Sequence, residues 1–248
     1  MSDSRRIALS LCVLAATAVL SSPRPAPADI YQWEWINPRF PSQGKQESAT
    51  LCPDGAGVSP VPYVSLALKD LTKAYLIGVD LTGALGNYVT LSNADLSEAN
   101  LTNADLSQAN LRDAWLSYAT LTNAVLTNAE VRGAILANTT SQGFTQGQLQ
   151  STASYQAKDL SGINLGANNL TGWDFHEQNL TNASLGGATL TDAVFTNAEV
   201  RGAEFVLTTS RGFTQGQLQS TASYQAKDLS GIKLFYNNLD GWDFHEQN

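Results

Sequence analysis

The residues best placed to do chemistry form a short run and its near-copy, Asp174-Phe175-His176-Glu177 and Asp243-Phe244-His245-Glu246. Carboxylates flanking an imidazole are groups that hold metal ions or pass protons. Their adjacency works against either use, because neighbouring outward side chains cannot readily surround one ion, and the chain has no HExxH motif. A second polar set, Asp95, Asn100, Asp105 and Asn110, recurs at every fifth position. Clustered carboxylates on one wall, with a cation or a base, are what cleavage of an acidic polysaccharide requires. The two cysteines, Cys12 and Cys52, make neither a CxxCH haem site nor a paired-cysteine metal site. The sequence therefore assigns no catalytic, cofactor-binding or metal-ligating residue, and the chain reads as non-enzymatic.

The element that carries these polar positions is a repeat. From Leu71 to Leu136 an apolar residue, nearly always Leu, recurs every fifth position, usually with Ala two places before it. Ala94-Asp95-Leu96-Ser97-Glu98, Ala99-Asn100-Leu101-Thr102-Asn103 and Ala104-Asp105-Leu106-Ser107-Gln108 show the unit. A period of five fits neither a helix nor a strand, but it fits a solenoid whose wall turns a corner once per unit.

These units resemble the pentapeptide-repeat family, whose motif is A(D/N)LXX, over most of the chain after residue 65. With the export signal described below, the likeness is to a secreted bacterial type. The resemblance implies an all-β fold, a right-handed quadrilateral β-helix with four units in each square coil. Coils would stack about 4.8 Å apart, so about 29 units make roughly seven coils and a rod on the order of 35 Å long. The apolar centre and the small residue before it point inward; a bulky group at the small position would collide in a close-packed interior. On such a coil Asp95, Asn100, Asp105 and Asn110 fall on four different sides, as solvated wall positions.

The N-terminus reads as an address. Arg5-Arg6 precede an apolar run, Ile7 to Leu20, too short to span a membrane, and Ala26-Pro27-Ala28 offers small residues for cleavage. Residues 1–28 are thus expected to be a signal peptide, with export to the periplasm, cell surface or exterior and no integral membrane span. Cleavage would leave Cys52 as the one thiol, read as a small buried residue of an N-terminal cap. Residues 29–65 form that cap and a Pro-rich segment; Tyr31, Trp33 and Trp35 alternate with polar residues as in a strand covering the first coil. A sharper reading makes Trp33 and Trp35 a sugar-binding platform.

Pentapeptide arrays follow at 66–136, 160–206 and, in part, 229–248, separated by expected helical bulges at 137–159 and 207–228. Thr145 with Gln148 can close a capping box, and Phe144, Leu149 and Tyr155 are the expected packing residues. Residues 139–179 recur as 208–248 with five differences, which indicates a recent internal duplication of 69 residues. Trp173 and Trp242 stand at usually small inward positions, so either the coil widens there or the register differs. The repeat stops in mid-pattern at Asn248, from which end-to-end self-association through the C-terminal coil is expected.

Two outer surfaces are candidates for recognition. Tyr75, Ile77, Trp115, Tyr118 and Ile135 map to one side and form a candidate interaction patch, which the first helical bulge is expected to cover. Thr82, Thr102 and Thr122 form a ladder of the kind that binds ice or crystal faces. With a net charge of −8 the chain lacks the positive footprint of nucleic-acid binding. Some cytoplasmic members of the resembled family bind topoisomerase by imitating duplex DNA, but an export signal points to another compartment. The leading reading is a non-catalytic scaffold, with no cofactor, that meets a protein or an envelope polymer. N-terminal sequencing of protein recovered outside the cytoplasm is expected to begin at or near Asp29; a cytoplasmic product retaining Met1 would revive the mimic.

Overall fold

The computed structural model describes residues 29–248. The signal-peptide expectation, with Cys12, lies outside the described residues. The local rules of the fold are visible in one unit. Asp95 donates its N–H to the Ala74 carbonyl of the coil before, and Leu96 and Glu98 donate theirs to Trp115 and Ser117 of the coil after. Ala99 closes the corner by donating to the Leu96 carbonyl. Only the Ser97 N–H has no backbone acceptor, and it donates to Asp95 Oδ1 at 3.1 Å. This explains the Asp or Asn of the motif: its side chain satisfies the one N–H that the coil leaves over. Asn100, Asp105 and Asn110 do the same for Thr102, Ser107 and Arg112. The residue two after the central Leu turns the corner with positive φ, as in Glu98, Asn103 and Gln108. Asn and Gly are frequent there because they tolerate that conformation best.

Parallel bridges repeat every 20 residues in four columns, for example Tyr75 to Asp95 to Trp115 to Ile135. The walls are thus β in their pairing but hold only one bridged residue per unit, because two of the five residues turn the corner. The all-β expectation is corrected to that extent. The only extended strands among the described residues are β1 (Tyr31–Trp35) and β2 (Lys45–Leu51), an antiparallel hairpin. Inside, the central Leu and the Ala before it are buried from Leu66 to Phe205 with few exceptions, as assigned from sequence. Each fully buried Leu contributes about 1.5–3 kcal/mol.

The helical segments are not bulges outside the wall. Each comprises a 3-10 turn and two short helices, α1 (Gln146–Gln150) with α2 (Ala153–Gln156), and α3 (Gln215–Gln219) with α4 (Ala222–Gln225). They replace two sides of a coil, so that Ile135 next pairs with Asn164 and Glu204 with Lys233. Gln148 Nε2 donates to the Leu121 and Ala124 carbonyls, both at 2.8 Å, and Ala153 N donates to Ala129. The Thr145–Gln148 capping box forms as expected, and Phe144 and Leu149 enter the core. The longer coil admits large rings. Phe144 meets Trp173 edge to face at 5.7 Å, so Trp173 is accommodated by widening rather than by a change of register. Gly143 is required at its φ of +89°, where a Cβ would also lie 2.3 Å from Thr122 Oγ1.

The first coil is closed by Ile30, Cys52 and Val58, all buried against the core. Burial, with the Asp70 carboxylate adding to it, pushes the Cys52 thiol up to about 12, so it stays protonated and unreactive at neutral pH.

Inward and outward positions differ sharply in what they tolerate. Leu101→Asp is expected to abolish folding, since it buries a charge among apolar side chains, whereas Thr102→Asp should cost no more than about 1 kcal/mol. Circular-dichroism melts of the two variants check this, and equal losses would contradict the assignment.

Candidate functional site

The side wall that carries the aromatic patch is covered, and its cover is the hairpin rather than the helices. Trp33 N donates to the Lys73 carbonyl and Tyr75 N to Tyr31, which zips β1 onto the wall. Trp33 Nε1 donates to the Asn93 carbonyl at 2.7 Å. Lys45, the first residue of β2, then reaches into a cage of aromatic rings. Its ammonium stands 3.1 Å from the Trp115 ring centroid, 4.0 Å from Trp33 and 5.5 Å from Trp35. On its remaining side it binds Asp95 Oδ2 at 2.7 Å, and both side chains are only 3% exposed. Burial pushes the Lys45 ammonium below its ordinary range, while the hydrogen bond and charge of Asp95 pull it back. Three ring faces and one carboxylate are what a buried cation needs in place of water.

The structure therefore revises two expectations. The first helical segment was expected over the patch, but it replaces the coil sides that follow Leu121 and Leu126, and the hairpin occupies the patch instead. Trp33 and Trp35 do not form a free platform, because Lys45 and Trp115 take their faces. Of the patch residues, Tyr75 and Trp115 belong to the bridge column that the hairpin bonds and covers, with Ile135 next beyond them. Ile77 is half-buried, and Tyr118 remains 55% exposed. The cage was not legible in sequence, since nothing local links Lys45 to Asp95 across fifty residues.

The threonine ladder is tied up locally. Thr82 Oγ1 donates to Asp80 at 2.6 Å and Thr102 Oγ1 to Asn100 at 2.7 Å, while Asn100 Nδ2 donates to Thr82 Oγ1. Thr122, the third rung, lies beneath Gly143 of the first helical segment, which ends the ladder. The Asp174-Phe175-His176-Glu177 run is similarly committed: Asp174 Oδ1 accepts the His176 N–H at 2.8 Å, and His176 lies 3.3 Å from Glu177. Among the described residues no three His, Cys, Asp or Glu side chains gather as a metal site would. No described helix is long and apolar enough to cross a membrane.

One wall carries repeated ion pairs that brace the helical segments. Arg132 binds Glu130 and Asp159 at 2.9 and 3.0 Å, and Arg201 repeats this with Glu199 and Asp228. Burial alone would raise the Glu130 carboxyl, but its bonds from Arg132 and Ser154 outweigh that and hold it below the usual range.

The cage predicts a paired mutational result. Lys45→Met should cost about 3–5 kcal/mol, because it strands the Asp95 carboxylate under the indoles. Adding Asp95→Asn should recover part of this, since Asn is neutral and still accepts the Ser97 N–H. Urea denaturation followed by tryptophan fluorescence measures both, and a neutral Lys45→Met would contradict the cage's role.

No curated protein matches the chain. Among solved structures it is similar to HetL, a pentapeptide repeat protein involved in heterocyst differentiation regulation in Nostoc sp. strain PCC 7120. The identity is 27%, over 63% of this chain and 74% of that one, with a TM-score of 0.28. It is also similar to the pentapeptide repeat protein Rfr23 of Cyanothece 51142, at 27% identity over 54% and 74% of the two chains, with a TM-score of 0.29. QnrB1, a plasmid-mediated fluoroquinolone resistance protein, matches at 18% identity over 68% and 76%, also with a TM-score of 0.29. At such TM-scores the overlays carry no weight, and membership rests on the repeats themselves. The family described as Pentapeptide repeats matches in 8 copies, over residues 70–103, 104–140, 159–197 and 174–208. With that match lying on the coils described above, the chain belongs to the pentapeptide-repeat family.

Proposed function

We propose that the chain is an exported, non-catalytic scaffold that presents its walls to a protein or polymer of the cell envelope or exterior, on a right-handed quadrilateral β-helix. One observation carries this reading: the acidic side chains best placed for chemistry are committed to holding the fold. Asp95 closes its own turn and neutralises Lys45; Asp105 and Asp174 cap the N–H groups of Ser107 and His176; Glu130 and Asp159 grip Arg132. A carboxylate already accepting structural hydrogen bonds is poorly placed to move protons or hold a substrate cation. What remains for function is the regular outer surface, and extended surfaces are how solenoids meet their partners. Arg5-Arg6, the apolar run after them and Ala28 support export.

The acidic-rod mimic is the second reading, favoured by the net charge of −8. The two separate in a paired assay: cosedimentation of the purified chain with insoluble cell-envelope material, and DNA supercoiling by a topoisomerase with the chain added. The scaffold reading expects the chain in the pellet and supercoiling unchanged. A chain that stays in the supernatant and inhibits supercoiling would overturn it in favour of the mimic.

A further inference from the structure

We propose that the charge-free apolar wall of the first two coils, built around Leu68, Leu85 and Tyr88, pairs with the same wall of a second copy. The pairing is independent of the envelope role given above. This wall follows the bridge column from Ser65 through Leu85 to Asp105, two sides away from the column under the hairpin. Tyr63 donates its N–H to the Thr82 carbonyl at 2.8 Å and Leu68 donates to Asn87 at 3.1 Å, so the two coils stack directly. Leu68 is 75% exposed and Tyr63 74%, with Leu85 and Tyr88 half-exposed beside them. The Tyr63 ring lies across the corner at Gly83, where a Cβ would stand 2.5 Å from Tyr63 Cε1. Asp105 and Gln108, the next residues along these columns, end the apolar surface.

The residues of this wall stand where the coil itself favours other types. Tyr63, Leu68 and Tyr88 turn their corners at φ of +61°, +61° and +60°. Corners at 93, 103, 123 and 128 carry Asn, which tolerates this left-handed conformation far better than a bulky side chain does. Leu85 takes the Asp or Asn position of its unit, so it cannot accept the Asn87 N–H as Asp105 accepts that of Ser107. Burial within the chain does not offset these costs, because all four side chains remain at the surface. Unfavourable residues that persist together on one exposed face point to a role for that face.

The chemistry of the wall selects its occupant. No residue in 61–68 or 81–88 is charged, although the chain carries a net charge of −8. Two acidic copies can therefore meet here without burying a charge or setting like charges together. The exposed parts of Val61, Tyr63, Leu68, Leu85 and Tyr88 make an apolar patch on the order of 500 Å². With the polar surround of Ser65, Thr82 and Asn87, it approaches the roughly 800 Å² per partner of a standard interface. A regular wall complements itself under two-fold rotation, so each copy would bury Leu and Tyr against Leu and Tyr.

Sedimentation velocity of the full chain over a range of concentrations is expected to show a reversible dimer. A chain that begins at Asp29 should give the same dimer; its loss there would assign the association to residues 1–28 and overturn the pairing. Leu68→Asn, Leu85→Asn and Tyr88→Asn each restore the residue that the array uses at that position. Combined, they are expected to weaken the dimer at least about tenfold, while the melting temperature of the monomer holds or rises. Leu85→Lys, which sets a charge at the centre of the wall, should separate the copies as well. Tyr236→Asn, the same kind of exchange at an exposed corner of the C-terminal coil, should leave the dimer intact. A chain that is monomeric at every concentration would refute the pairing. So would a dimer that survives the wall substitutions or is lost with Tyr236→Asn.

Discussion

One backbone N–H in every five residues decides the character of this protein. A coil that turns a corner in each unit pairs four of its five amides with other backbone groups and leaves the residue after the central Leu without a backbone acceptor. Leaving that donor unpaired costs free energy, which favours a side-chain acceptor two residues before it that is short enough to fold back, although units with Leu85, Trp115 or Val125 at that position have none. Asp and Asn meet that need, as Asp95, Asn100 and Asp105 do for Ser97, Thr102 and Ser107. The polar positions that first suggest chemistry are therefore structural. The Leu and Ala of each unit follow from the same geometry, because a coil this tight has room inside for little else.

The departures from the unit occur where that interior is changed. Each helical segment lengthens a coil by nine residues, from Ile135 to Asn164 and from Glu204 to Lys233, and the added width is filled with rings. Phe175, Phe195 and Phe205 stand at central positions where the first array has Leu, and Phe213 of the second segment packs against the last two, with ring centroids 4.5–6.0 Å apart along the series. The hairpin is a departure of another kind. It lies along a wall instead of continuing the coil, and it is held there by a cation that water cannot reach. A buried ion pair of this sort is weak evidence for stability but strong evidence for a single docked position, because any shift would separate Lys45 from Asp95.

The legible part of the fold was the part governed by local spacing. The five-residue period, the inward Leu and Ala, and the Thr145–Gln148 capping box all depend on residues within a few positions of one another. What stayed hidden depends on distant contacts. The helical segments read as bulges because their sequence gives no sign that Gln148 bonds the Leu121 and Ala124 carbonyls of the previous coil. The patch at Tyr75 and Trp115 read as covered by the first helical segment because its actual cover begins at Tyr31, a segment whose alternating aromatics suggested a lid on the first coil. The role of Asp and Asn was within reach, since an Asx turn spans only two residues; the regular spacing of five drew attention to the walls instead.

The account stands on the claim that four amides of each unit are held by the backbone and the fifth by none of it, being met instead by the Asp or Asn side chain where one stands two residues before. Native-state hydrogen exchange resolved to single residues measures this directly. The amides of Leu96, Leu101 and Leu106 should be strongly protected, and those of Ser97, Thr102 and Ser107 should exchange markedly faster, with the same five-residue rhythm in every coil. Uniform protection along the wall, or protection that rises and falls with any other period, would contradict it.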